Sequence, residues 1–98
     1  MSVYVLVEGT LKEGEVDAFT ELCREAFPTT RSYEGCQNIH LTYNVVDEPR
    51  NFILNETWDS KEHYQAYLDF RVKDGTVEKI QSLSDGDLSI RIFDIADV

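Results

Sequence analysis

The segment Val3 to Leu11 places Val3, Val5 and Val7 on one side of an extended chain and Tyr4 and Leu6 on the other. Alternation of this kind marks a β-strand. A sheet with one wet face would alternate apolar with polar residues. Apolar residues on both sides predict a central strand, covered by helices on one face and, in so short a chain, most simply by a second copy on the other. Lys12 to Glu15 is a polar connection hinged at Gly14. Val16, Phe19, Leu22, Cys23, Ala26 and Phe27 then recur at three- and four-residue steps, which is one face of a helix. Pro28 lacks an N–H and clashes with the preceding turn, so the pattern predicts that the helix ends or kinks there, with one irregular turn running on to Tyr33. Gly35 supplies the left-handed conformation that closes it.

Cys36 to Val46 reads as a second strand, with Ile39, Leu41, Tyr43 and Val45 on one face and His40, Thr42 and Asn44 on the other. Asp47 to Arg50 is a turn punctuated by Pro49. A third strand follows, with Phe52, Leu54, Glu56 and Trp58 on one face and Ile53, Asn55 and Thr57 on the other, so strands two and three form a hairpin. Asp59 and Ser60 are both suitable N-caps for a helix from Ser60 to about Val72. Lys73 to Gly75 breaks it, and Val77, Ile80, Gln81 and Leu83 predict a short third helix. After the turn Ser84 to Asp87, the last strand is Leu88 to Ile95. The order β-α-β-β-α-α-β predicts an α+β fold of ferredoxin-like (split βαβ) plan, with an antiparallel sheet and helices on one face. The whole chain, residues 1–98, reads as one domain, and the apolar helix-free face predicts a homodimer.

Composition narrows the partners. A chain of 98 residues is enough for one domain. Apolar content of 42% and charged content of 29% place it among ordered globular proteins. The net charge of -10 argues against nucleic acid and against anionic membrane surfaces, both of which need clustered Lys and Arg. Cys23 and Cys36 have no metal or redox spacing and read as reduced thiols. The start lacks signal-peptide features and no apolar run is long enough to span a bilayer, so the expected location is the cytoplasm.

The candidate chemistry gathers between Asn51 and Arg71. Glu56 and Trp58 close the third strand, and Tyr64, Tyr67 and Arg71 share a face of the following helix. These five side chains are predicted to aim at one volume, either as a pocket or as packing. His40 and His63 are the only imidazoles. His63 leaves the helix about 100° from Tyr64. No metal cluster or phosphate-binding loop is visible. Glu56, His40 and Tyr43 complete the set as candidate substrate contacts, with Trp58, Tyr64, Tyr67, Arg71 and His63 as candidate catalytic groups.

Four stretches carry a resemblance: the helix start KEGEVDAF, its exit YEGC, the hairpin segment DEPRNFILNETW and the Ser-Lys-Glu helix start. In their order and spacing the chain resembles the antibiotic biosynthesis monooxygenase family of dimeric α+β barrel proteins. The resemblance implies a pocket in each subunit between sheet and helices. It also implies O2-dependent oxidation of phenols or quinols without a cofactor; the alternative reading is a non-catalytic dimeric module of the same fold that binds a small ligand. The resemblance points to Trp58, Tyr64 and, loosely, Asn55 as functional positions. Where many members carry His residues, this chain has Tyr67 and Arg71. Haem-degrading relatives use an Asn in the first strand and a His on the second helix, and both are absent here.

Overall fold

The computed structural model describes residues 1–98. Its elements are β1 (Val3–Thr10), α1 (Val16–Ser32), β2 (Cys36–Tyr43), β3 (Asn51–Trp58), α2 (Lys61–Lys73), α3 (Thr76–Leu83) and β4 (Ser89–Asp94). The four strands form one antiparallel sheet in the order β2-β3-β1-β4. This is the ferredoxin-like α+β arrangement expected from the pattern, with β1 and β3 central.

Period-two alternation sorts the strand residues by face. Val3, Val5 and Val7 of β1 and Phe52, Leu54, Glu56 and Trp58 of β3 are buried against the helices, together with Ile39 of β2. Phe19, Cys23 and Phe27 of α1 and Tyr64 and Tyr67 of α2 close over them into one core. The other face carries Tyr4, Leu6, Ile53, Asn55, Thr42 and Phe93. Here Tyr4 Oη donates to Asn55 Oδ1 at 3.0 Å, and Asn55 Nδ2 donates to Thr42 Oγ1 at 2.7 Å.

Three expectations shift. Helix α1 neither ends nor breaks at Pro28 but runs on to Ser32. Phe27 and Thr30, on either side of the proline, are both buried. That burial carries the helix past the missing N–H, which lies at an exposed position. The second strand stops at Tyr43, because Asn44 turns the chain instead: its side-chain oxygen accepts from Val46 N at 2.8 Å. The last strand begins at Ser89 rather than Leu88. At the start of α2 the N-cap is Ser60, whose oxygen accepts from His63 N at 3.1 Å.

Candidate functional site

Between the sheet and the pair α2–α3 lies a narrow cavity of about 50 Å³. Its floor is Val7, Ile39, Leu54 and Glu56; α2 supplies Tyr64, Tyr67, Leu68 and Arg71; α3 supplies Thr76, Val77 and Ile80; Leu88 and Ile90 close the side. The walls are mostly apolar, so the few polar tips among them decide the chemistry.

Those tips divide into engaged and open. Tyr67 and Arg71 are engaged. Arg71 Nε donates to Tyr67 Oη at 2.8 Å, and its Nη2 donates to the Ala26 carbonyl at 2.8 Å and to Thr30 Oγ1 at 3.2 Å. Its Nη1 is held by Asp74 at 2.9 Å. The Tyr67 hydroxyl lies 2.6 Å from Thr30 Oγ1. Thr30 spends its own hydrogen on the Ala26 carbonyl at 3.3 Å, so the phenol is the donor to Thr30. The network ties α2 to the last turns of α1.

Glu56 and Tyr64 are open. Each is 2% exposed. Glu56 Oε1 accepts from Trp58 Nε1 at 3.0 Å, and the chain offers its carboxyl no other partner. The Tyr64 hydroxyl bonds to nothing in the chain. Yet every fully enclosed polar side-chain atom in the molecule is hydrogen-bonded. The two unpaired oxygens therefore reach the cavity space that both residues line. Burial pushes the Glu56 carboxyl up to about 7, against the opposing effect of the Trp58 hydrogen bond. Burial raises the Tyr64 phenol well above its usual range, with the Glu56 and Tyr67 charges adding to it.

Trp58 itself is fully buried and does not line the cavity. Its indole packs on Tyr67 at 4.9 Å and on Tyr64 at 5.8 Å between ring centroids. Tyr33 and Phe70 extend the cluster, stacked on each other at 5.3 Å. The predicted face is thus real: Glu56, Trp58, Tyr64, Tyr67 and Arg71 come together.

The remaining candidates lie elsewhere. His63 Nδ1 is 2.6 Å from Ser60 Oγ, and the ring covers Gly35 at the start of the helix. Asn55 projects from the helix-free face, as strand alternation from Trp58 requires. His40 is exposed on the edge strand, beside a shallow groove between α1 and β2 that Tyr43 also lines. The Tyr43 hydroxyl bonds Thr20 Oγ1 at 2.6 Å. Thr30 is the residue that sequence reasoning missed. The signal was its continuation of the stripe Phe19, Cys23, Phe27 past Pro28, where the predicted helix was cut short.

Cys23 and Cys36 are free thiols, and burial pushes Cys23 up to about 12, which makes it a core residue rather than a nucleophile. No group of three or more His, Cys, Asp or Glu side chains is placed to hold a metal ion. No helix is long and apolar enough to cross a membrane.

Fold and cavity together define a small ferredoxin-like α+β protein with a narrow, mostly apolar site beneath its second and third helices. The model of the antibiotic biosynthesis monooxygenase family matches residues 2–78, and the chain belongs to that family. Among solved structures, a conserved protein from Methanosarcina mazei Go1 superposes with a TM-score of 0.86 at 17% identity, over 95% of this chain and 91% of that one. A Deinococcus radiodurans protein named for the same family gives 0.84 at 17% identity, over 98% and 94%. Rv0793 from Mycobacterium tuberculosis gives 0.78 at 16% identity, over 100% and 98%. At such identities these likenesses speak to the fold. None of the curated proteins matches the chain.

Proposed function

We propose that this chain is a cofactor-independent monooxygenase acting on a small phenol or quinol. The observation that carries the reading is the pair of unpaired oxygens, on Glu56 and Tyr64, at an otherwise apolar cavity wall. A polar tip that opens onto an apolar cavity and has no partner in the chain is free to bond a ligand hydroxyl. The family supports the same chemistry. The substrate ring would fill the apolar space among Leu54, Leu68, Val77 and Ile80, with its hydroxyl at Glu56 and Tyr64.

Such an oxidation asks little of the protein. Once the hydroxyl is ionised, the electron-rich ring passes electrons to O2 and a carbon–oxygen bond forms. The O–O bond then breaks, leaving one oxygen as a new carbonyl and releasing the other as water. For an anthrone the balance is one CH2 and one O2 giving one C=O and one H2O. The Tyr64 hydroxyl would donate to the oxyanion, in a site dry enough for that bond to count. Trp58 and Tyr67 would hold the aromatic wall in place.

We further propose a homodimer that pairs the helix-free faces. It would bury Leu6 and Ile53 and give the sheet beneath the cavity a second support.

The measurement is oxygen uptake over a panel of hydroquinones, naphthohydroquinones and anthrones. Turnover in the wild type, lost in Tyr64→Phe, supports the reading; no uptake across the panel removes it. The same oxygens support a second reading, a binding module without catalysis, because Glu56 and Tyr64 would hold a ligand hydroxyl whether or not it reacts. A binder would show ligand-dependent thermal stabilisation with no oxygen consumed.

A further inference from the structure

We propose that Glu56 is the proton acceptor for the substrate hydroxyl, and that Trp58 is the positioning residue that holds it ready. The inference rests on the reading above, that a phenol or quinol occupies this cavity. Of the groups the sequence marks as bases, neither imidazole reaches the cavity. His63 is turned toward Ser60, and His40 stands exposed on the edge strand. The groups facing Glu56 are Tyr64, Tyr67 and Arg71 from α2, Cys36 from β2 and Trp58 from its own strand, while β1 presents Val5 as its register partner. None of these takes a proton near neutrality. Burial pushes both phenols and the Cys36 thiol up, and the guanidinium stays charged.

The geometry gives each carboxyl oxygen its own task. Oε1 is fixed by the indole N–H at 3.0 Å. Oε2 keeps its lone pairs for the cavity. In the step proposed, the substrate O–H bond breaks and an O–H bond to Oε2 forms. The electron pair stays on the substrate oxygen, next to the Tyr64 hydroxyl. After O2 has reacted, the same proton returns to the departing oxygen and leaves in water. The indole bond favours the ionised carboxyl, without which desolvation would leave the acid protonated and unable to accept. A carboxyl titrating near neutrality, about 7 here, is matched to this work.

The test does not require turnover. The probe is 4-nitrophenol, which is ionised and coloured at about pH 8 and gives O2 no easily abstracted electron. Two anions do not share a dry cavity, so binding to the wild type takes up about one proton, read with a pH indicator in weak buffer. If that proton goes to Glu56, the nitrophenolate absorption is retained in the complex. The Glu56→Gln variant binds the same anion with its colour and takes up no proton. Loss of the colour in the wild type puts the proton on the ligand and overturns the assignment; so does equal uptake by the Gln variant, or no binding. In Trp58→Phe, the pH at which uptake is half complete moves upward by about a unit, because the bond favouring the carboxylate is gone. An unmoved midpoint removes the role given to Trp58. Should the uptake results hold while no substrate in the panel consumes oxygen, the proton acceptor stands and the oxygenase reading falls.

Discussion

A carboxyl that is 2% exposed and held by one donor leaves a signature in the stability of the fold. The folded Glu56 titrates near 7 against an ordinary value of 4.5, so the folded state binds its proton more tightly than the unfolded chain does. The contribution is fully present below about pH 4.5 and is lost as pH rises through about 7, amounting to roughly 3 kcal/mol at 1.4 kcal/mol per unit. Glu56→Gln is therefore expected to match the wild type at low pH and to exceed it by up to that amount at about pH 8. Denaturant melts at both pH values check this, and parallel curves would refute it. The neighbouring side chains respond differently. Tyr64→Phe removes a hydroxyl with no partner in the chain, so it should cost less than about 0.5 kcal/mol while abolishing turnover. Arg71→Ala strips partners from Tyr67, Thr30 and the Ala26 carbonyl and should cost about 3 kcal/mol or more. The sequence brought all five side chains to one face. It could not separate open tips from engaged ones, because Ala26 and Thr30, which hold Tyr67 and Arg71 across the core, sit on α1, far upstream and on either side of the proline.

At the level of elements, alternation and helical periodicity located every strand and helix; what they misjudged were ends that tertiary contacts decide. Helix α1 passes Pro28 because Thr30 is held from α2, a contact that no local pattern records. The turn into β2 was legible: Gly35 adopts φ +91°. There a Cβ would also come within 2.5 Å of both the Cβ and the ring of His63, whereas at Gly14, with φ +83°, it would meet nothing within 4 Å. Both positions carry the left-handed penalty of about 1–2 kcal/mol, so Gly35→Ala should destabilise clearly more than Gly14→Ala. His63→Ala in the Gly35→Ala background takes away the ring but keeps the Cβ, so it should recover only part of the excess, in thermal melts of the four proteins. Helix α3 matters for a different reason. It follows Gly75, has no fully buried residue and lays Thr76, Val77 and Ile80 over the cavity. Even one ring does not fit in about 50 Å³ unless this cover moves, and a two-ring substrate needs it to move further. Ile80→Ala, at a half-buried position, should lower KM for two-ring quinols more than for one-ring quinols and leave kcat near wild type. Equal effects on both would place entry elsewhere.

For the whole molecule the open question is what covers the outer sheet face, and the first strand already posed it. Tyr4 and Phe93 face each other across β1 and β4 and are 36% and 45% exposed, with Leu6 and Ile53 beside them. Polar residues are interleaved with them: Asn55 and Arg91 flank Leu6 in the register, and Glu8 and Thr42 flank Ile53. A face that mixes exposed aromatic and aliphatic side chains with hydrogen-bonding ones has the make-up of a protein interface. The alternation showed that the strand has two apolar faces; it could not show the polar neighbours, which depend on how four strands align. Charge sets the condition for pairing. Each copy carries -10, so a pair carries twice that, and the copies repel at low ionic strength. Self-association should therefore tighten as salt rises from about 10 mM to about 500 mM, where the screening length falls from about 30 Å to a few ångström. Leu6→Glu places a further carboxylate on the central strand of each facing sheet and should give a folded monomer at every salt concentration. Sedimentation velocity with circular dichroism on both proteins reads the two effects together. A wild type that stays monomeric at micromolar concentration in high salt would mean that the sheet face is not a dimer interface.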